Sequence, residues 1–241
     1  PEETVAPQMS EAAGPGERPA PTVKSRAELV ATDAPISSRQ IIEYLAAACQ
    51  VPVAQAAAVV DGFWNFLTDP AHYDGGRRAL TLPHFGTFRL GLDHNRKTLL
   101  VFRSRSCRDL HDRLEARGDR PPDTTWIRRR NQAPAARHTS GSQEWSTGDV
   151  LTAARAGGSF DDDPIAIGRD QQLSLKRRIA VRIAQATQLD LDVAFRVMWE
   201  LIETVTAIMA AGRAPIRWAT RGEMKRVQGP DGAQYGFRTY A

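Results

Sequence analysis

The chain has 241 residues, 41% of them hydrophobic and 25% charged, and carries a formal net charge of +4, with an isoelectric point near 9.4. That length holds one large domain or two small ones, no apolar run is long enough for a transmembrane helix, and the start of the chain lacks the basic and apolar segments of a signal peptide, so export is not expected. The surplus charge is mostly arginine, which suits phosphates or acidic proteins but is modest for a dedicated DNA-compacting protein.

Residues 1–35 are rich in Pro, Ala, Glu and Gly with no apolar period, so they read as an extended or disordered tail. Ser37 or Ser38 can then cap a helix carrying Ile41, Ile42, Leu45 and Ala46 on one face,. Val51-Pro52 breaks it. A second helix follows, with Ala56, Val59, Val60, Phe63, Trp64 and Leu67 at helical spacing,. Asp69-Pro70 and Asp74-Gly75-Gly76 mark a loop,. The run from Ala79 to Leu90 reads as a strand broken by Gly86, where a glycine signals a bulge or a close backbone approach,. A turn at Asp93-His94-Asn95 leads to a returning strand, Thr98 to Phe102, and a polar, arginine-rich helix from about Ser106 to Ala116 closes the unit.

Between residues 118 and 170 the composition shifts to Pro, Gly, Ser, Thr and mixed charge. A structureless connection of that length reads as a linker or binding arm. Its isolated aromatics, Trp126, Trp145 and Phe160, are either anchors for another subunit or packed on this chain's own domains. From 171 onward the first unit recurs. One constant shift takes Ile41 to Ile179, Leu45 to Ile183, Ala46 to Ala184, Val59 to Val197, Val60 to Met198, Phe63 to Leu201 and Trp64 to Ile202. After a slightly shorter loop, Leu82 meets Trp218, Gly86 meets Gly222 and Phe88 meets Met224, and Val101-Phe102-Arg103-Ser104 then meets Gly236-Phe237-Arg238-Thr239.

Helix, turn, helix and a strand bearing His84-Phe85-Gly86-Thr87-Phe88 resemble the bacterial HU and integration host factor (IHF) family, whose marker is a Gly-Phe-Gly-Thr-Phe-like strand at this point. Phe85, Gly86, Thr87 and Phe88 carry the likeness, with Gly222 as their echo in the second copy. Val101-Phe102-Arg103 is similar to the family's returning strand, and Arg108 to Arg113 to its basic last helix. The likeness covers 36–117 well and 173–241 more weakly. It implies an α+β fold of two tandem HU/IHF-like domains, each a helix pair on a small antiparallel sheet, with the tail and the linker outside them. Because the family works as an intertwined dimer, the resemblance implies either a pseudo-dimer within the chain or a homo-oligomer through these domains. It also departs from the family. The interval Arg89 to Leu100 is too short for the family's proline-tipped arm that wedges between base pairs. The second copy has only a tight turn at Gln228 to Ala233, and the sequence stops before a last helix.

No catalytic constellation is legible. The five histidines, at 72, 84, 94, 111 and 138, lack metal-site spacing with a cysteine or carboxylate. Asp161-Asp162-Asp163 lacks the alternating ligands and glycine of a calcium loop, and Gly157-Gly158-Ser159 lacks the flanking strand and helix of a phosphate loop. Cys49 and Cys107 are expected to be reduced thiols of a cytoplasmic protein. No cofactor, metal or membrane partner is expected. What remains is arginine. Arg77, Arg78, Arg89, Arg96, Lys97, Arg103, Arg105 and Arg108 gather on the loop, hairpin and helix start of the first unit, and Arg128-Arg129-Arg130 lie in the linker. They suit sequence-independent contact with DNA phosphates or a protein interface. The leading expectation is a non-enzymatic structural or adaptor protein of a larger assembly, such as a collar or head-tail component of a bacteriophage virion. In that reading the tail and linker engage other subunits, and the site is the bacterial cytoplasm or the virion. The alternative is a nucleoid-associated protein that binds duplex DNA without sequence preference.

Overall fold

The computed structural model describes residues 24–73, 79–92, 98–118, 120–132, 174–219 and 221–239. In chain order these form α1 (Arg26–Ala31), β1 (Ile36–Ser37), α2 (Ser38–Cys49), α3 (Val53–Thr68), a single 3-10 turn (Pro70–Tyr73), β2 (Leu80–Leu82), β3 (Gly86–Leu92), β4 (Thr98–Ser106), α4 (Cys107–Arg117), α5 (Thr125–Gln132), α6 (Leu175–Thr187), α7 (Leu191–Ala211), β5 (Ile216–Arg217), β6 (Gly222–Gly229) and β7 (Gly232–Thr239). The fold is α+β, as expected. Its strands make one seven-stranded sheet in the order β1-β5-β6-β7-β4-β3-β2.

The two helix pairs are built alike. Ser37 caps α2 and closes a reciprocal box with Gln40, satisfying two backbone donors that a helix start otherwise leaves open. The α2–α3 corner turns on Gln50, with φ of 55°, and the α6–α7 corner on Gln188, with φ of 56°. The left-handed residue falls at the same place in both copies, a detail that apolar spacing does not encode. The expected apolar faces are buried: Ile41, Leu45, Ala46, Ala56, Val59, Val60, Phe63, Trp64 and Leu67 in the first pair, and Ile179, Ile183, Val197, Met198, Leu201 and Ile202 in the second.

The halves meet along β4 and β7, which pair antiparallel with Phe102 opposite Phe237 and Arg103 opposite Gly236. These two phenylalanines are the matched positions of the repeat, so the strands cross at equivalent residues. Ser104 ties the seam where its register shifts: its Oγ accepts from Tyr235 N at 2.7 Å and donates to Arg105 O at 2.6 Å. Behind the sheet the helices interleave, α3 against α6 and α7, and α2 against α7. Trp64 on α3 packs on Trp218 (5.0 Å between ring centroids) and on Phe237 (4.9 Å), both from the second half. One hydrophobic core therefore serves both repeats.

Four expectations need correction. First, Ala79 to Leu90 is not one strand but a hairpin: Pro83, His84 and Phe85 turn the chain, and Leu82 pairs with Gly86. Proline has no amide to give a ladder, and His84 sits at φ 67°, outside extended geometry. Gly86 does mark a close approach, since a Cβ there would stand 2.4 Å from Arg103 O and 2.4 Å from the Phe102 ring. Second, the expected tail contains α1, started by a Ser25/Glu28 capping box and anchored by fully buried Leu29. Third, the expected linker contains α5, whose Trp126 packs edge-on to Phe195 at 5.2 Å; this aromatic docks on its own chain. Trp145 and Phe160 lie outside the described residues. Fourth, the sheet is not purely antiparallel, because β1 runs parallel to β5, pairing Ile36 with Ile216.

A polar knot joins α1, α2 and α7. Glu200 accepts from Arg26 and from the Tyr44 hydroxyl, and Thr204 Oγ1 donates to it at 3.2 Å. Burial pushes the Glu200 carboxyl up, but the hydrogen bonds from Arg26 and Tyr44 outweigh it and hold the group below its ordinary value of 4.5. A carboxylate with a lowered folded value stabilises above its unfolded value and loses that contribution as pH falls through the folded one. Two outcomes follow for denaturant unfolding. Gly86→Ala lowers stability by about 2–3 kcal/mol, because the added methyl meets backbone rather than a yielding side chain. Glu200→Gln costs about 1–3 kcal/mol at neutral pH, and its deficit against the wild type shrinks as pH drops below 4.5.

Candidate nucleic-acid interface

Alternation along each strand sorts residues to the two faces of the sheet. On β4, Leu100, Phe102, Ser104 and Ser106 point to the core while Arg103 and Arg105 are exposed; on β3, Gly86 and Phe88 are buried and Arg89 is exposed. On β6, Gly222 and Met224 are buried and Lys225 is exposed, and on β5, Ile216 is buried and Arg217 exposed. Register aligns these outward positions into rows. One runs Thr87, Arg103, Gly236, Lys225, and the next sets Arg89 beside Val101 on one side of the seam and Glu223 beside Arg217 on the other.

The outward face thus spans both halves without a break at the seam. Seven strands about 4.8 Å apart give it a breadth of about 30 Å. Its described charged side chains are Arg89, Arg103, Arg105, Lys225 and Arg217 against one carboxylate, Glu223, which accepts from Arg217 at 3.1 Å. Arg89, Arg103 and Arg105 have no carboxylate partner among the described residues. The outward rows carry no aromatic residue, so they offer no platform on which bases could stack.

The other expected site residues fall elsewhere. Arg108 lies in the first turn of α4 and, with Arg213, His111, Val30, Cys107 and Ala210, lines a shallow groove of about 690 Å³. Arg128 is exposed on α5 beside Pro122 and Arg196, and Arg129 and Arg130 belong to the same helix. Arg77, Arg78, Arg96 and Lys97 lie outside the described residues. Of the fold markers, Phe85 and Phe88 pack at a tilt on Phe102 in the core at 5.2 and 4.5 Å, Thr87 meets Thr81 across the hairpin at 3.2 Å, and Gly86 and Gly222 each open the strand after the turn.

Sequence reasoning misses Lys225 and Arg217, although the repeat itself points to Lys225: the shift that carries Gly86 to Gly222 carries Arg89 to Lys225. Several other arginines are committed to the fold. Arg117 pairs with Glu203 and lies over the Trp199 ring at 4.6 Å, and Arg221 bonds Asp61 at 3.0 Å and Asn65 at 3.2 Å.

Among the described residues no group of three His, Cys, Asp or Glu side chains could hold a metal ion. His72 stacks on Phe66 at 3.8 Å, and burial lowers its pKa; His111 pairs with Glu115. His94, His138, Asp161-Asp162-Asp163 and Gly157-Gly158-Ser159 are outside the described residues. Cys49 and Cys107 are free and half-buried, and burial pushes the Cys49 thiol up to about 11, far from a reactive thiolate,. No single described helix is long and apolar enough to cross a membrane. Comparison with protein-family models, with curated proteins and with solved structures finds no match.

Replacing Arg89, Arg103 or Arg105 singly by Ala changes unfolding free energy by no more than about 0.5 kcal/mol, whereas Arg117→Ala costs about 1–2 kcal/mol. Chemical denaturation of the purified variants checks the contrast, which separates arginines available to a partner from those the fold consumes.

Proposed function

We propose that this chain is a non-enzymatic architectural protein of HU/IHF-like build, two divergent copies paired within one chain, that binds the backbone of duplex DNA across its outward sheet face. The observation that carries the reading is the set of exposed cations on that face, Arg89, Arg103, Arg105 and Lys225, which lie on both halves with a single carboxylate, Glu223, among the described residues of the face. Cations presented on a broad surface suit a polyanion that supplies regularly spaced phosphates. The lack of outward aromatics favours a duplex, read through its backbone, over single strands read by stacking. The pairing of equivalent strands at Phe102 and Phe237 supports the paired-copy part of the reading.

A second reading is a structural or adaptor role in a larger assembly, such as a virion. It is favoured by the hairpins. The β3–β4 pairing ends at Leu92 and Thr98, and β6–β7 closes at Gly229 and Gly232, so neither offers a long arm to wrap or kink DNA. On either reading the sheet is a platform. The two differ in what lies on it.

Fluorescence anisotropy with a short random-sequence duplex separates them. The expected result is sequence-independent binding whose affinity falls with salt. The joint replacement of Arg89, Arg103 and Arg105 by Ala makes the log–log salt slope shallower by about 0.9 for each phosphate that the variant no longer neutralises. Absence of binding at low salt, or a slope unchanged in the triple variant, overturns the duplex reading and leaves the adaptor reading standing.

A further inference from the structure

One corner of the molecule concentrates positive charge that the fold does not neutralise. The β2–β3 turn places His84 against α4, where Arg113 Nη1 contacts its Nδ1. The main chain of Arg105 lies beside the same turn, where its backbone N–H donates to Phe85 O at 3.3 Å. The charge of Lys176 on α6 bears on His84 as well, although its ammonium sits over the Trp199 ring at 4.8 Å. Arg113, Lys176 and Arg105 are the charges that bear on His84, and all three are cationic. Glu203 on α7 faces the corner too, but Arg117 holds it. Arg105 and Arg113 have no carboxylate partner among the described residues.

The donor inventory makes the arrangement specific. A guanidinium only donates, so Nδ1 of His84 must be the acceptor, and the ring is neutral with its proton on Nε2. Burial and the neighbouring cations lower the His84 pKa, consistent with that state. Like charges held together without a counter-ion repel. An oxyanion in the corner would reverse this: it accepts from the Arg113 guanidinium, draws on the positive charge of Arg105, and favours a charged imidazolium.

We propose that His84, Arg105 and Arg113 form a phosphate-binding corner, in which a phosphate oxygen replaces His84 Nδ1 as the acceptor for Arg113 and the imidazole takes up a proton to become a further donor. Arg105 also belongs to the outward face, so a backbone lying across the sheet reaches the corner at that end of β4. The inference deepens the duplex reading by adding a proton to the binding equilibrium. Inorganic phosphate, which can fill the corner without crossing the sheet, keeps the two claims separable.

The test follows the His84 ring of the nitrogen-15-labelled full chain by long-range proton–nitrogen NMR through a pH titration. Chloride and inorganic phosphate are compared at equal ionic strength. The expected result is a His84 midpoint higher by about one pH unit in phosphate, with the shift lost in Arg113→Gln. In parallel, duplex affinity is measured near pH 6 and pH 8. Wild type is expected to bind about three- to fivefold tighter at the lower pH, and His84→Asn, which tolerates the left-handed turn, to lose that dependence. A midpoint equal in the two salts overturns the corner, whether or not duplex binds. A phosphate shift with no duplex binding supports the corner and overturns the duplex reading alone.

Discussion

The pairing of β4 with β7 is the contact on which the remaining structure depends. It sets Phe102 opposite Phe237 and turns a four-stranded and a three-stranded piece into one sheet. A small sheet of that size, with one apolar face and one partner helix pair, would leave apolar surface in water. Joined at the seam, each half covers the other. Trp64 from the first half reaches Trp218 and Phe237 of the second, and aromatic pairs at such separations contribute about 0.5–1.5 kcal/mol each beyond area burial. Gly62 on α3 shows how close the helices come, for a Cβ there would lie 3.2 Å from Ile183 of α6.

The seam also makes the candidate surface. An antiparallel sheet can bury one face and leave the other to solvent, and here the helices take one side. Alternation then fixes which residues face out. Thr87, Arg103, Gly236 and Lys225 fall in one row only because β3, β4, β7 and β6 are neighbours in that order. A one-residue slip at the seam would send the second half's outward set to the core. Ser104, buried and bonded to Tyr235 N and to Arg105 O, holds the register where the ladder is irregular. Arg217 and Glu223 pair with each other on the same face, which leaves the uncompensated charge among the described residues of that face concentrated on Arg89, Arg103, Arg105 and Lys225.

Two segments that composition assigns to connection are structural. α1 is six residues long, too short to persist alone. It is held by Leu29 in the core and by the Arg26–Glu200–Tyr44 knot. α5 is held by Trp126 and Ile127, both buried. Neither has the sustained apolar period by which a helix announces itself, because each is anchored by one or two side chains on a surface that the other half provides. β1 is similar: two residues become the end strand of the sheet because β5, paired with β6 on its other side, offers its remaining backbone groups.

The apolar period at Ile41 to Leu67 and at Ile179 to Ile202 determined the helix pairs, their faces and the repeat, since burial at helical spacing depends on local sequence alone. Ser37 and Gln40 determined where α2 begins, and Gly86 a close approach. The sequence also contained the arginines. It could not show that Ala79 to Leu90 folds back on itself, because Leu and Phe at alternate positions suit a single strand and a tight hairpin equally well. Nor could it show that Arg89, Arg103 and Arg105 share a face with Lys225 while Arg108 and Arg128 do not, or that His84 meets Arg113. Those relations are set by strand order, by the seam and by the packing of α4 against α7. Each joins residues far apart in the chain, and local pattern carries no information about distance in space.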